Sequence, residues 1–170
     1  MTDHIDGLLA QWRRERPDLH TGPMALFGRL FRVERLADTA LKRELARYGL
    51  QPGWFDLLAA LRREGAPYEL NPTALTQATL LSSGGTTKRL DRLAAAGLVG
   101  RRPDPADRRG TLVRLTPRGK RTIDRAVEEH LKNEERLLGS FTPAEVRSLD
   151  ALLRKLLQEV DREGLPSGVL

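Results

Sequence analysis

The groups best suited to chemistry in this 170-residue chain lie between Ser82 and Arg121. Ser82, Ser83, Thr86 and Thr87 bring four hydroxyls close together, and Lys88, Arg89 and Arg92 follow directly. Small residues in a first helical turn let a helix approach the DNA major groove closely. Their hydroxyls can then reach phosphates or base edges, and arginine can bind guanine with two parallel hydrogen bonds. Gly84 and Gly85 are poor helix formers, so their use there is steric room at such a surface or a frayed helix start. Further on, Arg101 and Arg102 precede a polar run holding Arg108 and Arg109. An arginine at a loop tip can enter a narrow, electronegative minor groove. Arg101 and Arg102, at the base of that loop, suit phosphate contact.

Charge points the same way. Residues 82–121 hold eleven basic and three acidic residues, a net of +8, whereas the rest of the chain nets −2. A basic module in a near-neutral scaffold is the electrostatic footprint of a polyanion binder. The competing reading is a run of charge that merely keeps the chain soluble.

These residues need elements to hold them. Ile5, Leu8, Leu9 and Trp12 recur at helical spacing in a first short helix over about 3–15, ending before Pro17. Pro23 suits the first turn of a long helix running to about Tyr48, with Gly49 as its stop and an apolar stripe of Phe27, Leu30, Phe31, Leu41 and Leu45. A shorter helix begins at Gln51–Pro52 and runs through Leu57, Leu58 and Leu61. Asn71–Pro72 predicts a capped short helix with Leu75 inward, and Ser82–Ser83 a second cap before a helix holding Leu90 and Leu93 inward. Two short capped helices in close succession predict a helix-turn-helix. Leu98–Val99 and Thr111–Leu115 flank a polar loop and predict a β-hairpin, hence a wing. Thr116–Pro117 opens a long helix to about Leu138, and Thr142-Pro143-Ala144-Glu145 is a capping box for a last one, with its stripe from Val146 to Val160.

The expected fold is mainly α with a small β-wing, a winged helix-turn-helix set between dimerisation helices. The expected organisation is an extension helix and connector over 1–22, a scaffold helix over 23–49, a DNA-binding domain over 50–116, dimerisation helices over 117–162 and a tail over 163–170. The outer leucine stripes exceed what the winged module can cover. A homodimer would cover them, and a compact monomer with packed flanking helices is the alternative.

Several function classes are disfavoured. With no cysteine there is no disulfide framework, thiolate nucleophile or Cys-based zinc site. His4, His20 and His130 lie far apart and form no ligand-spaced pair, so no metal is expected. There is no nucleophile–base pair and no GxxxxGK[ST] phosphate loop, so neither an enzyme nor a cofactor is expected. No apolar run is long enough to span a membrane, and the first residues do not read as a secretory signal, so the expected place is the cytoplasm, on the nucleoid. His130 is an ordinary helix residue or a pH reporter at a subunit interface.

The run Asp107-Arg108-Arg109-Gly110-Thr111-Leu112-Val113-Arg114-Leu115-Thr116-Pro117-Arg118-Gly119 resembles the wing signature of the MarR family. That signature is Asp, any residue, Arg, three residues, Leu or Val, any residue, Leu, Thr, two residues, Gly, and every defined position is filled. Ser82 to Leu93 resembles the family's recognition helix, and the likeness extends over about 23–160. The resemblance implies a homodimeric transcriptional regulator, usually a repressor, that binds a pseudo-palindromic double-stranded operator and is released by a small ligand. It makes Arg109 the residue inserted into the minor groove, with Asp107 orienting an arginine. The N-terminal extension with Trp12 resembles a urate-responsive subgroup, whose anion site corresponds here to Trp12, Asp56, Arg89 and Arg101. Two guanidiniums can hold a planar anion, an indole can stack on it, and a carboxylate can be displaced or repelled. The ligand implied is a small organic anion such as urate or a related carboxylate or phenolic. The other reading is a constitutive or architectural winged helix with no ligand response.

Overall fold

The computed structural model describes residues 2–79, 85–107 and 110–164. The chain divides into two compact units, Met1–Arg43 and Glu44–Leu170.

The first unit holds α1 (His4–Glu15) and most of α2 (Gly22–Ala46). Asp3 caps α1, accepting from the backbone N–H groups of Ile5 and Asp6, while the Asp6 carboxylate accepts from the Asp3 N–H. This reciprocal cap supplies acceptors for donors that a helix start leaves over. Arg29 of α2 then donates to Asp3 at 2.8 Å and also to Asp6. The guanidinium holds both carboxyls below the usual carboxylate range: its hydrogen bond is the chief cause at Asp3, and the Asp3 backbone N–H is the chief cause at Asp6. Ile5 and Leu9 are buried, and Gly28 leaves room for Ile5, whose side chain lies 3.3 Å from where a Cβ would stand. The expected α2 stripe is only partly covered, with Phe27 and Phe31 exposed.

The second unit contains α3 (Trp54–Glu64), β1 (Glu69–Leu70), α4 (Pro72–Gln77), α5 (Thr86–Ala95), β2 (Val99–Pro103), β3 (Thr111–Leu115), α6 (Pro117–Leu137) and α7 (Pro143–Arg162). The strands form an antiparallel sheet in the order β1-β3-β2. Its centre is a core in which Leu57, Leu58, Leu61, Leu75, Leu90, Leu93, Val113 and Ile123 are fully buried. Burial of each such side chain contributes about 1.5–3 kcal/mol against exposure.

Local chemistry sets the element ends. Asn71 caps α4 through the Ala74 N–H, and Thr116 and Thr142 cap α6 and α7, each followed by proline at the first helical position. Gly119 permits a close approach: a Cβ there would lie 1.9 Å from the Leu98 carbonyl oxygen, so the first turn of α6 rests directly on the backbone leading into β2.

Three expectations change. The helix expected from Gln51 starts at Trp54, because Gly53 turns into the left-handed region (φ 77°) and ends the preceding turn. The cap expected at Ser82–Ser83 is instead Gly85 (φ 99°), with no side-chain capping bond, and the two serines lie outside the described residues. The wing acquires a third strand, since Glu69 and Leu70 pair with Arg114 and Val113. Two residues are too few to show an alternating pattern, so β1 left no periodic signal.

Candidate nucleic-acid interface

Helix α5 is anchored by Thr86, Leu90 and Leu93, which face the core, while Thr87, Lys88, Asp91 and Arg92 face outward. Thr86 corrects an expectation. It is only 4% exposed, one turn ahead of Leu90 on the same buried face, so its hydroxyl is turned away from the outer surface. Thr87, Lys88 and Arg92 are exposed on the opposite face of the helix. Ser82, Ser83, Arg108 and Arg109 lie outside the described residues.

The wing base carries two ion pairs. Arg101 reaches back to Asp91 of α5 at 2.7 Å, joining the strand to the helix beside it. Arg102 donates through Nε to Glu69 of β1 at 3.0 Å. That hydrogen bond holds the Glu69 carboxyl below the usual carboxylate range. All four partners belong to the winged module, so they keep its basic groups in register. The Arg101–Asp91 pair is exposed on both sides and contributes little stability, so a phosphate can replace its carboxylate at small cost, whereas Glu69 is largely covered, with 11% of its side chain exposed. The loop between β2 and β3 is closed by the Asp104 N–H donating to the Gly110 carbonyl and the Gly110 N–H donating to the Asp107 carbonyl.

Of the four residues matched to an anion site, three lie in the second unit. Asp56 occupies the first turn of α3. Arg89 packs against the N-cap of that helix, its Nε lying 2.7 Å from where a Gly53 Cβ would stand. Its Nη1 is buried and has no hydrogen-bond partner among the described residues. Arg101 is engaged by Asp91. Asp56 is not taken up by its helix neighbours, because Arg62 pairs with Asp124 of α6 at 2.6 Å and Arg63 donates to the Ala78 carbonyl. Trp12 belongs to the first unit, where it is 43% exposed on α1.

Three residues of the interface carry no motif of their own: the partners Asp91 and Glu69 and the spacer Gly53. Their only sequence signal was opposite charge, or glycine, at a distance that no local pattern links. The outer face of the sheet also forms a cavity of about 490 Å³, with Tyr68, Leu115 and Pro117 among its walls and Arg102, Arg114 and Lys120 among its cations. Lys120 and Arg62 both lie near the Tyr68 ring, at 5.3 and 5.2 Å from its centroid. His130 on α6 stacks on Phe55 at 4.5 Å between ring centroids, with Nε2 3.2 Å from Glu134. Among the described residues no group of histidine and acidic side chains could hold a metal ion, and no helix is long and apolar enough to cross a membrane.

Comparisons with known proteins converge on one family. The model of the MarR family matches residues 48–110. The transcriptional regulator PecS of Dickeya dadantii is 42% identical over 152 residues, spanning 89% of this chain and 92% of its own. Among solved structures, a mutant MarR from Escherichia coli in complex with operator DNA superposes with a TM-score of 0.70 at 29% identity, covering 81% of this chain and 97% of that one. BpsR of Bordetella bronchiseptica, whose DNA binding is regulated by 6-hydroxynicotinic acid, superposes with a TM-score of 0.66 at 28% identity, covering 75% and 89%.

Proposed function

The chain belongs to the MarR family of DNA-binding transcriptional regulators, and from that premise we propose that it is a homodimeric repressor released from its operator by a small organic anion. The observation that carries the DNA-reading part is the division of α5. Thr86, Leu90 and Leu93 lock one face into the core, while Thr87, Lys88 and Arg92 stand on the other beside a basic wing base. Those three residues, with Ser82, Ser83, Arg101, Arg102, Arg108 and Arg109, form the proposed DNA surface, and Arg89 joins it when extended. The nucleoid is the proposed location because duplex DNA is the partner.

A homodimer is supported by the apolar side chains that α7 leaves exposed: Leu149, Leu152, Leu153 and Leu157. Two-fold symmetry then requires an operator of two inverted half-sites about one helical turn, ~10 bp, apart. Six to ten phosphate contacts per dimer would weaken binding ~10³–10⁵-fold between 50 and 200 mM salt.

The ligand part rests on Asp56, Arg89 and Arg101, with Trp12 contributed by the sequence pattern alone. Arg89 supports it best. A guanidinium nitrogen buried without an acceptor among the described residues leaves its desolvation uncompensated there, and an anion supplies that acceptor. An anion drawn there competes with the arginine's use on DNA, and its different affinity for the free and bound shapes is all that release needs.

The test is fluorescence anisotropy on a labelled duplex taken from upstream of the chain's own gene, titrated with urate and then a panel of aromatic and aliphatic carboxylates. Release by one of these, lost in Arg89→Ala, is the expected result. DNA binding that no anion disturbs would leave a constitutive winged helix. A response unchanged in Arg89→Ala would move the ligand elsewhere.

A further inference from the structure

We infer that Gly53 and Gly85 form a slot that holds the Arg89 side chain back from the outer face of α5, and that Gly53 sets how readily this arginine reaches DNA. The inference rests on the DNA-reading role of α5 and concerns a residue, Gly53, outside its groove-facing surface.

The slot is defined by what is missing from two residues. A Cβ on Gly53 would stand 2.7 Å from Nε of Arg89 and 3.0 Å from its Cδ, and one on Gly85 would stand 3.2 Å from Nη1. Both glycines are N-caps in the left-handed region, at φ 77° and 99°, and neither helix start has a capping side chain. The arginine therefore lies against the first turns of α3 and α5 at once. Both helix starts carry partial positive charge, which opposes a cation. Its Nη1 is buried with no hydrogen-bond partner among the described residues. Shape holds the arginine there, and electrostatics works against it.

A cation retained in this way exchanges readily for a position beside a phosphate. Arg89 is then shared between a retracted arrangement and an extended one, and DNA recruits only the second. The apparent affinity for DNA falls in proportion to the retracted fraction. Gly53→Ala places a methyl group where Nε and Cδ now lie. What must move is the far part of a flexible side chain, so Arg89 is expelled while the backbone can stay in place.

Any alanine at Gly53 also suffers the strain of a positive φ. Gly49 supplies the control. It has φ 69° and nothing within 4 Å of an added Cβ, so Gly49→Ala bears similar backbone strain without touching an arginine.

The experiment compares the full-length parent, Gly53→Ala and Gly49→Ala by anisotropy on the upstream duplex at several salt concentrations. Gly53→Ala is expected to bind several-fold more tightly at each salt concentration with an unchanged salt slope, because DNA holds the extended arginine in both proteins. Gly49→Ala should match the parent, and in an Arg89→Ala background Gly53→Ala should change nothing. Coincidence of the two glycine variants, or an effect that persists without Arg89, overturns the inference. A parent that binds neither this duplex nor bulk genomic DNA overturns the DNA-reading role and the inference with it.

If Gly53→Ala does not fold, the parent itself decides. With ¹⁵N-labelled arginine, the Nη1 signal of Arg89, identified by its loss in Arg89→Ala, should exchange more slowly than those of exposed arginines in the free protein. It should lose or change that protection when duplex is added. A signal that exchanges as fast as exposed arginines in the free protein rules the slot out.

Discussion

Helices α5 and α7 are both amphipathic, yet α5 buries three of its ten residues and α7 buries none of its twenty. Leu90 and Leu93 are buried in one core cluster with residues of α3, α4 and the sheet in the same unit. Leu152 and Leu157 of α7, 66% and 60% exposed, have no comparable cover among the described residues. An apolar stripe therefore states that a face must be covered and leaves open by what. In α5 the cover is intramolecular, which makes the helix a rigid platform for its outer residues. In α7 the proposed cover is a second copy, so its stability and the placing of two half-sites are joined.

The sharpest way to break this contrast is to charge the two faces in turn. Leu152→Glu with Leu157→Glu should give a monomer in sedimentation velocity. Operator affinity should fall by ~10²–10⁴, the advantage that linking two binding modules typically provides. A dimer with parental affinity would show that α7 is not the covered face. Leu93→Ala on α5 should cost about 2–5 kcal/mol in urea unfolding, the usual range for a fully buried leucine. A loss below ~1 kcal/mol would mean that the core around α5 relaxes in a way its packing does not suggest.

The two threonines of α5 refine the comparison within one turn. Thr87→Ala should weaken operator binding by about 0.5–1.5 kcal/mol, the net value of one ordinary hydrogen bond, with little change in unfolding. Thr86→Ala should do the reverse. Equal effects of the two on DNA affinity would contradict the inward placement of Thr86.

The smallest effect expected is at the wing base. Arg102 depresses the Glu69 carboxyl in the folded protein, so the pair stabilises the fold above the ordinary glutamate range. That contribution is lost as pH falls through the depressed folded value. Arg102→Ala should flatten this part of the acid side of a stability–pH profile. An unchanged slope would show that the pair adds nothing measurable.

Much of the fold was legible from short-range chemistry. Asn71–Pro72, Thr116–Pro117 and Thr142-Pro143-Ala144-Glu145 announced three helix starts that the structure places at those residues. A cap needs only neighbours within four residues, so sequence displays it directly. Strand β1 was hidden because two residues show no period. Thr86 was misread because a hydroxyl in a first helical turn looks the same whether that turn faces solvent or core.

The candidate site divides along the same line. The basic excess of residues 82–121 and the wing pattern are properties of composition and order, and they were enough to indicate a polyanion-binding module. The pairing of Arg101 with Asp91, the pairing of Arg102 with Glu69 and the lodging of Arg89 against Gly53 join residues up to 36 positions apart. Sequence by itself determined the order of the helices, the three side-chain caps at Asn71, Thr116 and Thr142 and which sign of charge dominates, because those depend on local propensity and on sums. Tertiary structure alone decided which arginines are engaged and which face of α5 is free. Those depend on distances that exist only once the helices have packed.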